Sequence, residues 1–169
     1  LAYAPFLAHV GAERLLRHMD AAVPGVPIFG TLCCDHYYDF REAYTVYNGA
    51  QYSDRLALVV MSGPVNATFM TVSMPEDNIR KQWAMITDSE GNLLRGVNDK
   101  PVLEYLDSIG LSRADGLEGV KNIPVILSYN DGTPHVARCF YMITPEGHVA
   151  CGGEMPENAT FAMGSLDHD

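Results

Sequence analysis

No stretch of this 169-residue chain approaches the roughly 20 consecutive apolar residues that a membrane-spanning helix needs; the longest candidate, Leu56–Met61, is strand-sized. Leu1–Val10 does not read as a secretory leader, having no basic start and containing Pro5. Basic residues are few. Lys and Arg number 11 against 21 Asp and Glu, a formal charge of −10, and the cations are scattered rather than clustered. That balance excludes phosphate-tracking nucleic-acid binders and anionic membrane surfaces as partners. There is no CxxC pair, so zinc-ribbon spacing and covalent haem attachment are both absent. Cys33 and Cys34 are adjacent and ill-placed to bridge each other, and with Cys139 and Cys151 they are read as reduced thiols of a cytoplasmic protein. No phosphate loop, GxSxG elbow, HExxH or dinucleotide GxGxxG occurs. The common enzyme classes lose their support, and the chain is expected not to be an enzyme.

What remains is an ordinary folding composition, 47% hydrophobic and 19% charged. Ala8, Ala12, Leu15, Leu16, Met19 and Val23 recur at helical spacing, which predicts a helix over 8–23 stopped by Pro24-Gly25. Strands are expected at Val26–Leu32, Glu42–Tyr47, Arg55–Met61 and Asn66–Met74, with Asn48-Gly49 as a turn. Arg55–Met61 is so continuously apolar that it reads as covered on both faces.

The pattern changes between Pro75 and Ile79, which divides the chain into regions 1–77 and 78–169. In the second region, Gln82–Thr87 and Asn92–Val97 flank a turn at Asp88–Gly91. Asp99 is placed to cap a helix beginning near Pro101 and closed by Gly110, with Val102, Leu103, Leu106 and Ile109 on its apolar side. Further strands follow at Ile123–Tyr129, His135–Ile143, His148–Cys151 and Thr160–Met163. Hairpin-linked strands with two helices indicate an α+β fold, largely antiparallel, with an α/β/β/α layered sandwich as one arrangement of it.

Three groups of residues could carry chemistry. Cys33-Cys34-Asp35-His36 sets thiol, carboxylate and imidazole side by side at a strand end. A thiol enzyme would use Cys34 as nucleophile and His36 as base. The plainer reading is two buried cysteines followed by a turn at Asp35. Arg138 shares a strand face with Val136, Phe140 and Met142 by alternation, and a guanidinium in that company needs a partner. Either a ligand carboxylate or one of the chain's own acids would serve. Arg41, with Tyr44 and Tyr47 beyond it, could stack on an aromatic or hold an anion, or simply decorate a strand.

Taken in order, several stretches resemble the FIST family. In the first half they are Gly25-Val26-Pro27-Ile28-Phe29-Gly30, Thr31–Asp35, Phe40-Arg41-Glu42, Tyr47-Asn48-Gly49 and Ser53–Leu58. They are similar to the end of that family's amino-terminal half. Trp83, Thr87, Glu90-Gly91-Asn92 and Asp99–Leu106 resemble the opening of its carboxy-terminal half, Arg138 falls where that half often carries a strand Arg, and Gly152–Glu157 looks like its "aGdvPEG" stretch. Cys33-Cys34 and His36 depart from the pattern, standing where small residues and a second acid are commoner. The chain also stops before the family's closing segment, so it reads as a piece of a longer module or one whose sheet another chain completes.

The resemblance implies a bacterial sensory domain binding a small molecule, with Arg138 meeting any anionic group that the molecule carries. Its signal would pass to a histidine kinase, diguanylate cyclase or chemoreceptor. The expected pocket wall is Gly30, Thr31, Cys34, Asp35, Arg41 and Arg138. Some relatives are haem proteins that sense nitric oxide, and in that reading His36 would be the haem ligand. A protein–protein interaction module, including a homodimer paired through sheet edges, is the other alternative.

Overall fold

The computed structural model describes residues 1–6, 11–34, 43–70, 75–111 and 123–164. Two compact units follow each other along the chain, Leu1–Met70 and Thr71–Asp169. The fold is α+β with mostly antiparallel pairing, as the sequence predicts. No helix among the described residues is long and apolar enough to cross a membrane.

The first unit opens on β1, Ala2–Pro5, a strand absent from the sequence reading. Ala-Tyr-Ala-Pro has little β-propensity of its own, so its pairing is imposed by its neighbours. Helix α1, Ala12–Ala22, follows, shorter than the expected 8–23; residues 7–10 lie outside the described residues. Its last turn is closed by the Val23 N–H donating to the Met19 carbonyl, just before Pro24. Strand β2 covers Gly30–Cys33 rather than Val26–Leu32. Pro27 has no N–H to give a ladder, and pairing with β1 starts only where Ala2 meets Gly30 and ends where Pro5 meets Cys33, in parallel.

A hairpin comes next: β3, Thr45–Tyr47, pairs with β4, Ala50–Tyr52, across Asn48 (φ 49°) and Gly49 (φ 78°). Both turn residues have positive φ, the type I′ geometry that Asn-Gly favours. Thr45 is buried, and its hydroxyl donates to the Arg55 carbonyl at 2.8 Å. The apolar run Arg55–Met61 supplies only a two-residue strand β5, Ala57–Leu58, antiparallel to β1. It is an edge strand, not one covered on both faces: Leu58 is 53% and Val60 87% exposed. Continuous apolar sequence does not by itself secure two covering layers. Residues 66–70 form no strand, and 71–74 lie outside the described residues.

The second unit carries most of the core. After a single 3₁₀ turn at Glu76–Asn78 come β6, Ala84–Glu90, and β7, Leu93–Val97. The turn falls at Gly91-Asn92 instead of Asp88–Gly91, because register shifts around Asp88 keep Asp88 and Ser89 in the ladder opposite Gly96 and Leu94. A second tight turn, Asn98 (φ 50°) and Asp99 (φ 61°), joins β7 to β8, Lys100–Pro101. Asp99 is therefore a turn residue, not the helix cap; its N–H donates to the Thr87 hydroxyl. Helix α2, Val102–Ser108, starts on Pro101 and buries Val102, Leu103, Tyr105 and Leu106. It ends in a Schellman pair, with the Leu111 N–H on the Leu106 carbonyl and the Gly110 N–H on the Asp107 carbonyl.

The remaining strands are β9 (Val125–Ser128), β10 (Val136–Arg138), β11 (Phe140–Ile143), β12 (Val149–Cys151) and β13 (Thr160–Met163). The expected strand over 135–143 is broken at Cys139. Across the sheet the order is β10-β9-β13-β6-β7-β12-β11. The two ends of that order are consecutive in the chain, with Cys139 alone between them, so the ladder returns to its start through one bent segment. Phe140, Phe161, Ile86, Leu94, Leu127 and Met155 are among the fully buried side chains of the core.

Candidate functional site in the first unit

Strand β2 carries two of the residues expected to form the pocket, Gly30 and Thr31, and Cys34 follows its end. At Gly30 the chain passes so close to β1 that a Cβ would run into the Ala2 carbonyl oxygen. Only glycine permits that approach. Thr31 is exposed, with its hydroxyl donating to the Leu32 carbonyl at 3.3 Å. Cys34 ends the segment as an exposed thiol, while Cys33 is half-buried.

Between this strand, β1 and α1 lies a half-open cavity of about 210 Å³. Its origin is legible in side-chain size. Ala2 and Ala4 on β1, Ala12 on α1 and Gly30 on β2 present almost nothing to the interior. Leu15, Leu16 and Met19, one turn apart on α1, close the opposite wall without filling the space. None of the described α1 residues is fully buried. A helix that sits over small residues leaves room for an apolar group, in a hollow with few polar atoms at its mouth. Gly30 and Thr31 line this cavity; Cys34 does not. Asp35, His36 and Arg41 lie outside the described residues. Tyr44 and Tyr47, expected to accompany Arg41, are exposed.

Arg138 belongs to the second unit. Its guanidinium donates to the Tyr129 hydroxyl at 3.2 Å and to the Ala137 carbonyl at 3.1 Å. The anticipated single face does not form, because the chain breaks at Cys139 and its register shifts between Phe140 and Met142. Phe140 is fully buried while Met142 is 43% exposed. Nearby, burial pushes the Cys151 thiol well above the usual thiol range, with Cys139 adding to the effect and the Arg138 charge opposing it. Such a thiol stays protonated and is a poor nucleophile. Asn92 is buried and donates to the Tyr141 hydroxyl at 3.1 Å and the Cys151 carbonyl at 3.2 Å. Burial raises the Tyr141 hydroxyl as well. Among the described residues no three His, Cys, Asp or Glu side chains gather as a metal site would require.

A family model described as the FIST N domain matches residues 4–100. The chain belongs to the FIST family. FIST domains are sensory modules of signal-transduction proteins, so the general role is sensory. The match takes in α1, β2 and the second half of β1, and so every lining residue of the cavity except Ala2. It runs on past residue 77, through the β6–β7 hairpin to Lys100. No curated protein and no solved structure matches the chain.

Sequence reasoning placed Leu15, Leu16 and Met19 at helical spacing but gave them no part in a site. It missed Ala2 and Ala4 altogether. The available signal was the coincidence of small residues on facing elements, which becomes visible only when the β1–β2 register is known.

Proposed function

We propose that this FIST chain is the ligand-binding part of a cytoplasmic sensory protein, without catalytic activity of its own. In this reading a small molecule inserts an apolar group into the cavity between α1 and the β1–β2 pair. The observation that carries the reading is that cavity, framed by elements of the FIST N match and left unfilled by Ala2, Ala4, Ala12 and Gly30. Helix α1 is the element a ligand would reposition, since it is held to the sheet by a partly open apolar contact. The signal would pass to a kinase, cyclase or chemoreceptor output, and the residues after the matched segment would open the carboxy-terminal half of the module.

The test is a thermal-shift screen of the intact chain against a metabolite library, run in parallel on Ala12→Leu, which fills the cavity. A ligand at a hundred times its Kd stabilises by about 2.7 kcal/mol, a readily measured rise in Tm. The expected result is a compound that stabilises the parent and leaves Ala12→Leu unmoved, while Ala12→Leu alone melts no lower than the parent. A library that shifts neither protein, or shifts both equally, overturns the reading.

A further inference from the structure

A second cavity, in the other unit, has a different chemistry. It encloses about 190 Å³ and is lined by Arg80, Gln82, Tyr105, Ser108, Ile109 and Met163. The segment that carries Arg80 and Gln82 is fixed beside the end of β13: Ile79 bridges Gly164, and the Arg80 N–H donates to the Met163 carbonyl at 3.0 Å. Tyr105 comes from the last turn of α2. Its ring is locked edge-to-face on Phe161 at 5.9 Å, and the residue is only 7% exposed. Two exposed side-chain donors from one fixed backbone segment thus stand beside a phenol held by the core.

Arg80 has no visible structural duty. Ion pairs among the described residues include Arg55–Asp54, Arg95–Glu90 and Lys100–Glu104, and Arg80 is in none of these. That is notable in a chain with nearly twice as many acids as bases. Its planar fork is suited to a carboxylate held through two hydrogen bonds. Burial raises the Tyr105 hydroxyl above its ordinary value, so it is a donor at neutral pH. Ser108 has its hydrogen on the Tyr105 carbonyl at 2.6 Å and can only accept. Ile109 and Met163 supply an apolar wall away from the donors.

We infer that this cavity binds a small monocarboxylate, with its carboxylate on Arg80, Gln82 and the Tyr105 hydroxyl and its carbon tail against Ile109 and Met163. The volume of about 190 Å³ is below the range of drug-sized ligand pockets and suits an acid of a few carbons, such as butyrate or pyruvate. This site is independent of the first-unit cavity and stands or falls without it.

The experiment is calorimetric titration of the intact chain with butyrate, with its neutral isostere butyramide, and with pyruvate, repeated on Arg80→Gln and Tyr105→Phe. Both substitutions spare the core, since Arg80 is exposed and Phe retains the ring on Phe161. Saturable binding of butyrate or pyruvate is expected, at least tenfold tighter than butyramide. Arg80→Gln should weaken it at least tenfold and Tyr105→Phe several-fold, with the Tm of both variants within a few degrees of the parent. Equal binding of butyrate and butyramide overturns the assignment. So does undiminished binding by Arg80→Gln, or no binding of either acid at 10 mM, on the order of a hundredfold above a useful metabolite affinity.

Discussion

Phe161 offers the sharpest test of the second unit's architecture. It is fully buried on β13, opposite Ala84 of β6 on one side and Leu127 of β9 on the other. Its ring meets Tyr105 at 5.9 Å and Phe140 at 6.3 Å, both edge-to-face. Truncation to alanine removes the transfer energy of the ring and leaves a cavity, together about 3–5 kcal/mol. Each aromatic contact is worth about 0.5–1.5 kcal/mol beyond its area, which places Phe161→Ala near the upper end of that range. For a domain of this size, about 4 kcal/mol corresponds to a fall in Tm of roughly 15–30 °C. It is also a large share of the 5–15 kcal/mol that about any domain has in total. Urea unfolding followed by fluorescence reads this unit selectively, because Trp83 is the sole tryptophan and lies against His135 at 5.1 Å. Phe161→Leu, which keeps most of the volume, should cost about 1.5 kcal/mol. A loss under about 1 kcal/mol for Phe161→Ala, well below the roughly 3–5 kcal/mol typical of such a change, would contradict the placement of β13 in the core.

Other expectations concern single residues. Gly30→Ala should destabilise the first unit by about 1–3 kcal/mol through overpacking, since its Cβ meets the Ala2 carbonyl; hydrogen exchange at the Phe6 amide, which donates to Cys33, should accelerate, and unchanged exchange would refute the close approach. The Asp131 carboxyl is held below its ordinary value, first by the Thr133 hydroxyl and then by the Thr133 N–H. A depressed carboxyl stabilises the fold above its unfolded pKa, and that contribution is lost as pH falls through the lower folded value. Thr133→Val should therefore move the Asp131 carboxyl up in a carbon-13 NMR titration; an unmoved titration would remove the hydroxyl as the cause. Cys151 should alkylate at least ~100-fold more slowly than Cys34 or Cys139 in the folded protein, because it is buried and they are exposed. Peptide mapping after iodoacetamide decides it, and equal labelling would contradict the placement of β12.

How far the sequence speaks depends on the residue type. Strand β13 is legible to the residue, since Thr160–Met163 stands between an Asn-Ala pair and a glycine and is strongly apolar. Helix α2 is legible from Val102, Leu103 and Leu106, all buried. Strand β1 is not, because Ala-Tyr-Ala-Pro pairs only through the partners it meets 28 and more residues away. The Asp88–Gly91 turn is displaced by local register shifts that no propensity scale contains. Alanines at the first cavity carry no chemical signal, yet their smallness creates the space. Arg138 drew attention as a cation in an apolar strand, but Tyr129 and a backbone carbonyl already hold it. Arg80 drew none, because its setting is made by α2 and the end of β13, distant in sequence.

The most direct test of the sensory account is methyl NMR of the intact chain during titration with a stabilising compound from the metabolite screen. The account predicts saturable shifts at Met19, Leu15, Leu16, Ile28 and Leu32, the methionine, leucine and isoleucine residues around the first-unit cavity. It also predicts that Ala12→Leu abolishes those shifts. Shifts confined to second-unit methyls, with these five unmoved, would contradict it.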